Sequence, residues 1–111
     1  MATLADFLFF DESSATTTSN NFSLPHGADN ITLQVDAING ASVNATVEGT
    51  TELSGTGEWY TLTVLNNTGY AVTEAITAAG IYSVSAAGIR LVRMKNGGSA
   101  GSIKAHAVAT G

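Results

Sequence analysis

The sequence predicts an all-β protein, an antiparallel β-sandwich or jelly-roll-like fold of about eight short strands. Three observations lead to this prediction. Several segments alternate apolar and polar residues with a period of two, turn residues recur about every ten positions, and no segment shows the 3.6-residue period of an amphipathic helix. With 111 residues, the chain is long enough for one domain with a real core, but not for two.

The composition excludes several function classes. Only 12% of the residues are charged and 44% are hydrophobic, so Thr, Ser, Asn and Gly must build most of the surface, as in a module partly covered in an assembly. The absence of Cys excludes disulfides, thiolate metal sites and a thiol nucleophile. The net charge of −5 argues against nucleic acid as the main partner.

The charges are segregated along the chain. All nine acidic residues lie at or before Glu74, whereas all four basic residues lie at or after Arg90. We therefore expect an acidic body and a basic C-terminal hairpin, an asymmetry that can orient contacts between copies. Exposed ion pairs contribute only about 0–1 kcal/mol each, so these charges would steer association rather than drive it.

The first candidate strand in chain order is the apolar run 4–10, followed by a Ser/Thr/Asn-rich linker. It is either a strand of its own domain or an arm that docks on a neighbouring subunit or a larger partner. Burying each large side chain contributes roughly 1.5–3 kcal/mol, so the run must be packed somewhere. We assign 1–21 to an arm and linker and 22–111 to the sandwich. The arm's candidate partner-binding residues are Leu4, Phe7, Leu8, Phe9 and Phe10.

The N-terminus carries no Lys or Arg and no small-residue cleavage pattern, so it does not resemble a secretory signal. Its apolar run is far too short to span a bilayer. We therefore expect a protein that is made in the cytoplasm of the producing cell and has no membrane partner.

Strands and turns then follow in order. Residues 22–24 form a short strand that ends at the turn Pro25-His26-Gly27. Residues 30–38 alternate cleanly, and Asn39-Gly40 is the strongest hairpin signal in the chain, predicted to join this strand to 41–48. A long polar loop over 49–57 precedes the strand that contains the single Trp.

In the Trp strand, Tyr60, Leu62 and Val64 form a uniformly apolar face and are predicted to lie in the core. Trp59 lies on the opposite face, next to the loop. Either it covers one end of the core under the folded-over loop, or it is an exposed anchor for a sugar or a protein partner.

The C-terminal third predicts strands over 70–76, 81–84 and 89–94. A glycine-rich tip over 96–101 then joins the third of these to a last strand over 102–109, as a hairpin. The candidate partner-binding residues outside the arm are Trp59, Arg90 and Arg93.

No motif indicates catalysis. His26 and His106 are too few for a catalytic zinc site without carboxylates, and no nucleophile elbow is present. The glycine-rich run 97–101 lacks the Gly-Lys-Ser/Thr ending of a phosphate loop. We therefore expect no enzymatic activity, no cofactor and no metal.

A series of short segments is similar in order to a known type of module. The segments are Ile31-Thr32-Leu33-Gln34-Val35, Ala45-Thr46-Val47-Glu48-Gly49, Trp59-Tyr60-Thr61-Leu62, Gly80-Ile81-Tyr82-Ser83-Val84 and Ile89-Arg90-Leu91-Val92-Arg93. From about residue 30 to the C-terminus the chain resembles the small β-sandwich modules of tailed-bacteriophage virions, found as head decoration proteins and in fibres and tails. It departs from them in the loop 51–57, where they often carry an Asn/Asp-Gly turn.

The resemblance implies a non-enzymatic virion component that forms a homo-oligomer. We expect an auxiliary capsid protein that binds the major capsid protein, or another virion protein, and stabilises the head shell. The alternative is a carbohydrate- or receptor-binding module of a tail or fibre, in which Trp59 with Tyr60 or Tyr82 would form a stacking platform for a glycan. A third interpretation is a bacterial surface or pilus-like subunit.

Overall fold

A computed structural model describes residues 3–14, 17–98 and 101–111. These residues form strands and connections without any helix, and the predicted all-β sandwich fold is confirmed. No described residue belongs to a helix long and apolar enough to cross a membrane. The strands of the described residues are β1 (Thr3–Ser14), β2 (Thr17–Thr18), β3 (Phe22–Ser23), β4 (Asn30–Ile38), β5 (Ala45–Thr50), β6 (Tyr60–Leu62), β7 (Val64–Asn66), β8 (Val72–Thr73), β9 (Gly80–Ser85), β10 (Leu91–Asn96) and β11 (Ser102–Thr110).

The strands form two sheets. The larger has six strands in the order β1-β11-β4-β9-β7-β8. The smaller has the order β2-β10-β5-β6, and β3 also pairs with β10. All pairings are antiparallel. The described strands outnumber the predicted ones because several are only two or three residues long.

The core lies between the two sheets, and the period-two pattern places it. In β4 the side chains of Ile31, Leu33 and Val35 are buried, while those of β11 beside them are alanines. The small alanines leave room for the larger side chains that the other sheet contributes, among them Met94. The core cluster is therefore shared by both sheets.

The segment that was assigned to an arm lies at the edge of the chain's own six-stranded sheet. β1 pairs with β11 from Thr3 opposite Thr110 to Ser14 opposite Ser102. This is the interpretation of the segment as a strand of its own domain. To dock on a partner, this segment would first have to leave the sheet. The predicted linker ends at residue 21; β2 lies before that point and β3 after it, and both pair with β10. Residues 15 and 16 of the proposed linker lie outside the described residues.

The predicted Asn39-Gly40 hairpin is wrong. The turn itself exists, since Asn39 and Gly40 have φ of 56° and 73° and the Ala41 N–H donates to the Ile38 carbonyl at 3.2 Å. However, β4 pairs with β11 and β9, whereas β5 lies in the other sheet. The turn sends the chain across the sandwich, and the buried side chain of Val43 lies in this crossing.

The predicted C-terminal hairpin is wrong for the same reason, because β10 and β11 belong to different sheets. Asn96, at the end of β10, is buried, and its Oδ1 accepts hydrogen bonds from the N–H groups of Asn44 at 3.3 Å and Gly98 at 3.1 Å. These hydrogen bonds hold the chain in place where it leaves β10 and begins to cross to the other sheet. Residues 99 and 100 lie outside the described residues.

The Trp strand is divided between the sheets. β6 belongs to the smaller sheet and β7 to the larger, with Thr63 at the corner between them. Val64 is buried as predicted and Leu62 is partly buried, but the prediction that Tyr60 is a core residue is wrong. Tyr60 is the first residue of β6 and pairs with Gly49, and its side chain is largely exposed.

Candidate functional site

The outward side of the six-stranded sheet is a candidate protein interface. Strand register aligns its side chains in two neighbouring rows, which together we call the six-stranded face. The first row is Leu8, His106, Gln34 and Ile81. The second row is Asp6, Val108, Thr32, Ser83, Leu65 and Val72.

The six-stranded face carries three exposed apolar side chains: Leu8 within β1, Ile81 as the second residue of β9, and Val72 as the first residue of the short β8. Leu8 is 42% exposed, Ile81 43% and Val72 68%. The other large exposed apolar side chains of the described residues lie in loops or at strand starts, as Leu4 does near the beginning of β1. Polar residues lie between these side chains, since His106 and Gln34 separate Leu8 from Ile81 in their row. Such a mixture of exposed apolar and polar side chains is the composition of many protein–protein interfaces.

At the β1 side of this face lies a shallow polar depression of about 590 Å³. Lys104 lies opposite Asp36 in the strand register, and the Gln34 Nε2 group donates to the Asp36 carboxylate at 3.4 Å. Asp6, Leu8 and His106 also line it. The depression therefore combines both signs of charge with two apolar residues, Phe7 and Leu8, which favours specific polar contacts over plain apolar burial.

At the other side of the face lies a second depression of about 370 Å³, between β7, β8 and β9. Val64, Leu65 and Val72 supply apolar lining, while Ser83 and Ser85 supply hydroxyl groups. The six-stranded face thus offers a charged contact at one end and a largely apolar one at the other.

The structure separates the five candidate residues of the N-terminal run. Phe9 and Phe10 are both buried, because a register irregularity between Leu8 and Phe10 turns two consecutive side chains toward the core. Phe7 is partly buried and stacks on Phe22, with ring centroids 4.9 Å apart. Neither Phe9 nor Phe10 can contact a partner while β1 keeps this place. Leu4 and Leu8 remain exposed.

Trp59 lies under the loop that precedes it, on the outward side of the smaller sheet. Its indole N–H donates to the Gly55 carbonyl at 3.1 Å. The Arg93 guanidinium lies 4.1 Å from the ring centroid, and its Nε donates to Glu48 Oε1 at 2.8 Å. Trp59 and Arg93 therefore bind each other, whereas the candidate residue Arg90 is exposed.

The segregation of charge along the sequence does not survive folding. Arg93 pairs with Glu48 of the neighbouring strand, and Lys104 lies opposite Asp36. Because antiparallel pairing brings the basic C-terminal strands beside acidic central ones, the expected acidic body and basic hairpin are interleaved.

We expect Arg93→Ala to lower the free energy of unfolding by about 1–2 kcal/mol, because it removes a partly shielded ion pair and a cation–π contact. Lys95→Ala, on the same side of β10 but exposed, is the control and should change it by less than about 0.5 kcal/mol. Urea denaturation followed by Trp fluorescence measures both. Equal effects of the two substitutions would contradict the assigned role of Arg93.

The aromatic platform of the glycan alternative is incomplete. Tyr82 is buried, and its hydroxyl donates to the Ala78 carbonyl at 2.7 Å. Burial also raises the pKa of the Tyr82 phenol. With Tyr82 in the core and one face of Trp59 against Arg93, Tyr60 is the ring of this set that is largely exposed, at 67%.

Within the described ranges, no group of three or more His, Cys, Asp or Glu side chains could hold a metal ion. Sequence reasoning also missed Ile81 and Val72. The available signal was an apolar residue in the outward phase of a strand, as in Ile81-Tyr82, where two consecutive large side chains cannot both face the core unless the strand is irregular, as β1 is at Phe9 and Phe10.

No family model matches the chain, and no curated protein matches it in sequence. Among solved structures, it is similar to the crystal structure of the SPBc2 prophage-derived protein YomS, with a TM-score of 0.82. The likeness covers 95% of this chain and 90% of that chain at 16% sequence identity. The two proteins therefore share a fold over nearly their whole length.

Proposed function

We propose that the protein is a non-enzymatic structural component of a bacteriophage particle that binds another virion protein through the six-stranded face. The observation that carries the proposal is that Leu8, Ile81 and Val72 are exposed on the same outward face of the six-stranded sheet. The shared fold with a prophage-derived protein supports the phage setting.

The more specific proposal is an auxiliary capsid protein in the virion, which binds the major capsid protein and stabilises the head shell. An outward face of a six-stranded sheet suits this role, because it offers a broad surface that can be repeated in many copies. Apolar side chains spread across such a contact provide the affinity, and the charged depression around Lys104 and Asp36 fixes orientation. Association of copies into a homo-oligomer belongs to the same proposal.

The test is co-sedimentation of the purified protein with heads of the phage that encodes it. The double variant Leu8→Glu/Ile81→Glu places two carboxylates in the contact, where unpaired burial costs several kcal/mol. We expect at least about 100-fold weaker binding, which corresponds to about 2.8 kcal/mol. Circular dichroism and the Tm should show that the variant remains folded, since both positions are exposed.

Lys95→Glu is the matched control, because it adds a carboxylate to the outward side of the smaller sheet. It should bind heads as the unaltered protein does. Undiminished binding by the double variant would overturn the assignment of the face, and an unaltered protein that never sediments with heads would overturn the capsid role.

A further inference from the structure

We propose that a pocket at one end of the sandwich binds a lysine or arginine side chain of the partner protein. The pocket has a volume of about 320 Å³ and opens between the first residues of β6 and the polar loop. Residues that carry the argument are Gly49, Glu52, Glu58, Tyr60, Leu62 and Ile89. The inference rests on the proposed function only in that it takes the partner to be a protein.

The floor of the pocket is apolar and closed. A Cβ atom on Gly49 would lie 2.9 Å from Leu62 Cδ1 and 3.0 Å from Ile89 Cγ2, so these two side chains fill the space above the Gly49 backbone. Both are partly buried and packed against the core. An aliphatic stem, such as the four methylenes of lysine, can lie on this floor while its charged end stays at the mouth.

Tyr60 forms one wall of the pocket. Its register partner is Gly49, so the ring lies on the same side of the small sheet as core residues, but beyond the point where the core ends. It is 67% exposed as a result. An exposed tyrosine ring beside an apolar floor attracts a cation through its π-electrons.

Glu52 and Glu58 supply the negative charge. The Glu52 carboxylate lies against Gly57, in the place that a side chain at position 57 would occupy, and the Glu52 N–H donates to Thr50 Oγ1 at 3.2 Å. Across the described part of the chain, the ion pair found is between Arg93 and Glu48, so neither carboxylate of the pocket is paired with a cation. The pocket is therefore negatively charged before any partner arrives.

The combination of floor, ring and carboxylates selects among ligands. An anion is repelled, and an uncharged sugar would use the ring but leave both carboxylates without an opposite charge. A lysine or arginine side chain matches all three features, because its stem covers Leu62 and Ile89 and its cation meets Tyr60, Glu52 and Glu58.

The test is an NMR titration of the isotope-labelled full chain with Nα-acetyl-lysine methylamide. We expect fast-exchange shifts of amide signals from residues 49–62, with binding that weakens at high salt. The norleucine analogue, which keeps the stem but lacks the charge, should produce far smaller shifts. Equal binding of norleucine analogue and lysine probe, or stronger binding of a methyl glycoside, would overturn the proposal.

Two variants locate the effect. Tyr60→Ala and Glu58→Gln should each weaken binding of the lysine probe about three- to fivefold. Tyr70→Ala, another exposed tyrosine that does not line the pocket, should leave it unchanged. Unchanged affinity in Tyr60→Ala would also overturn the proposal. The Leu8→Glu/Ile81→Glu variant should still bind the probe, so failure at the pocket and failure of head binding are distinguishable.

Discussion

Leu33→Ala is expected to lower the free energy of unfolding by about 2–5 kcal/mol, because it leaves a cavity in the middle of the larger sheet. Leu33 is 1% exposed and lies between Ala107 of β11 and Tyr82 of β9. Ala107 is too small to fill the space. The Tyr82 ring cannot move into it without breaking the hydrogen bond from its hydroxyl to Ala78. Urea denaturation at constant pH measures the loss.

Gln34→Ala is the matched control, because Gln34 is the next residue of the same strand and points outward. It should change the free energy of unfolding by less than about 0.5 kcal/mol. Similar losses of free energy at both positions would mean that the two sides of β4 do not differ in burial, which contradicts the sandwich.

Period-two patterning predicted the long strands well. The prediction of a strand over 30–38 corresponds to β4, and 102–109 differs from β11 by one residue. Both strands have one buried and one outward side along most of their length. The alternation of apolar and polar residues in the sequence therefore corresponds to the alternation of buried and exposed side chains.

Turn chemistry predicted where the chain turns, but not which strand it pairs with next. Asn39 and Gly40 have the two positive φ angles of a tight hairpin turn, yet the following strand joins the other sheet. That choice is made by tertiary packing, since residues such as Val43 are buried only if the chain crosses the sandwich. A local sequence signal does not contain this information.

Hydrophobicity predicted which side chains need cover, but not what covers them. For Phe9 and Phe10 the sequence leaves open whether a partner or their own domain covers them, and they are buried within the chain's own sandwich. Ile81 and Val72 were not assigned and are exposed on the six-stranded face. The alternation likewise gave the correct side of the strand for Tyr60, but not the place where the core ends.

These differences change where a partner is expected to bind. The aromatic residues of the N-terminal run stabilise the sandwich itself, so the proposed partner surface is the six-stranded face, with Leu8 at one end and Val72 at the other. The charged pocket around Tyr60 is lined by β5, β6 and adjoining loops of the smaller sheet rather than by that face.

Gly101→Ala is expected to lower the free energy of unfolding by about 2–4 kcal/mol. The substitution strains the backbone and creates a steric clash at the residue that precedes β11. Gly101 has a φ of 70°, which costs a residue with a side chain about 1–2 kcal/mol. Its Cβ would also lie 2.6 Å from Ala41 Cα and 2.7 Å from the Ile38 carbonyl oxygen. Both are backbone atoms of the turn after β4, so the turn itself would have to move.

Gly88→Ala separates the two causes, because Gly88 has a similar φ of 81° but nothing within 4 Å of the added Cβ. Gly88→Ala should lower the free energy of unfolding only by the cost of the left-handed backbone conformation, about 1–2 kcal/mol. Gly101→Ala should therefore be more destabilising by at least about 1 kcal/mol. Thermal and urea denaturation of the two variants measure this difference. If the losses were equal, the turn after β4 would not be packed against residue 101, and the close approach of the two crossings that joins the sheets at this end would be incorrect.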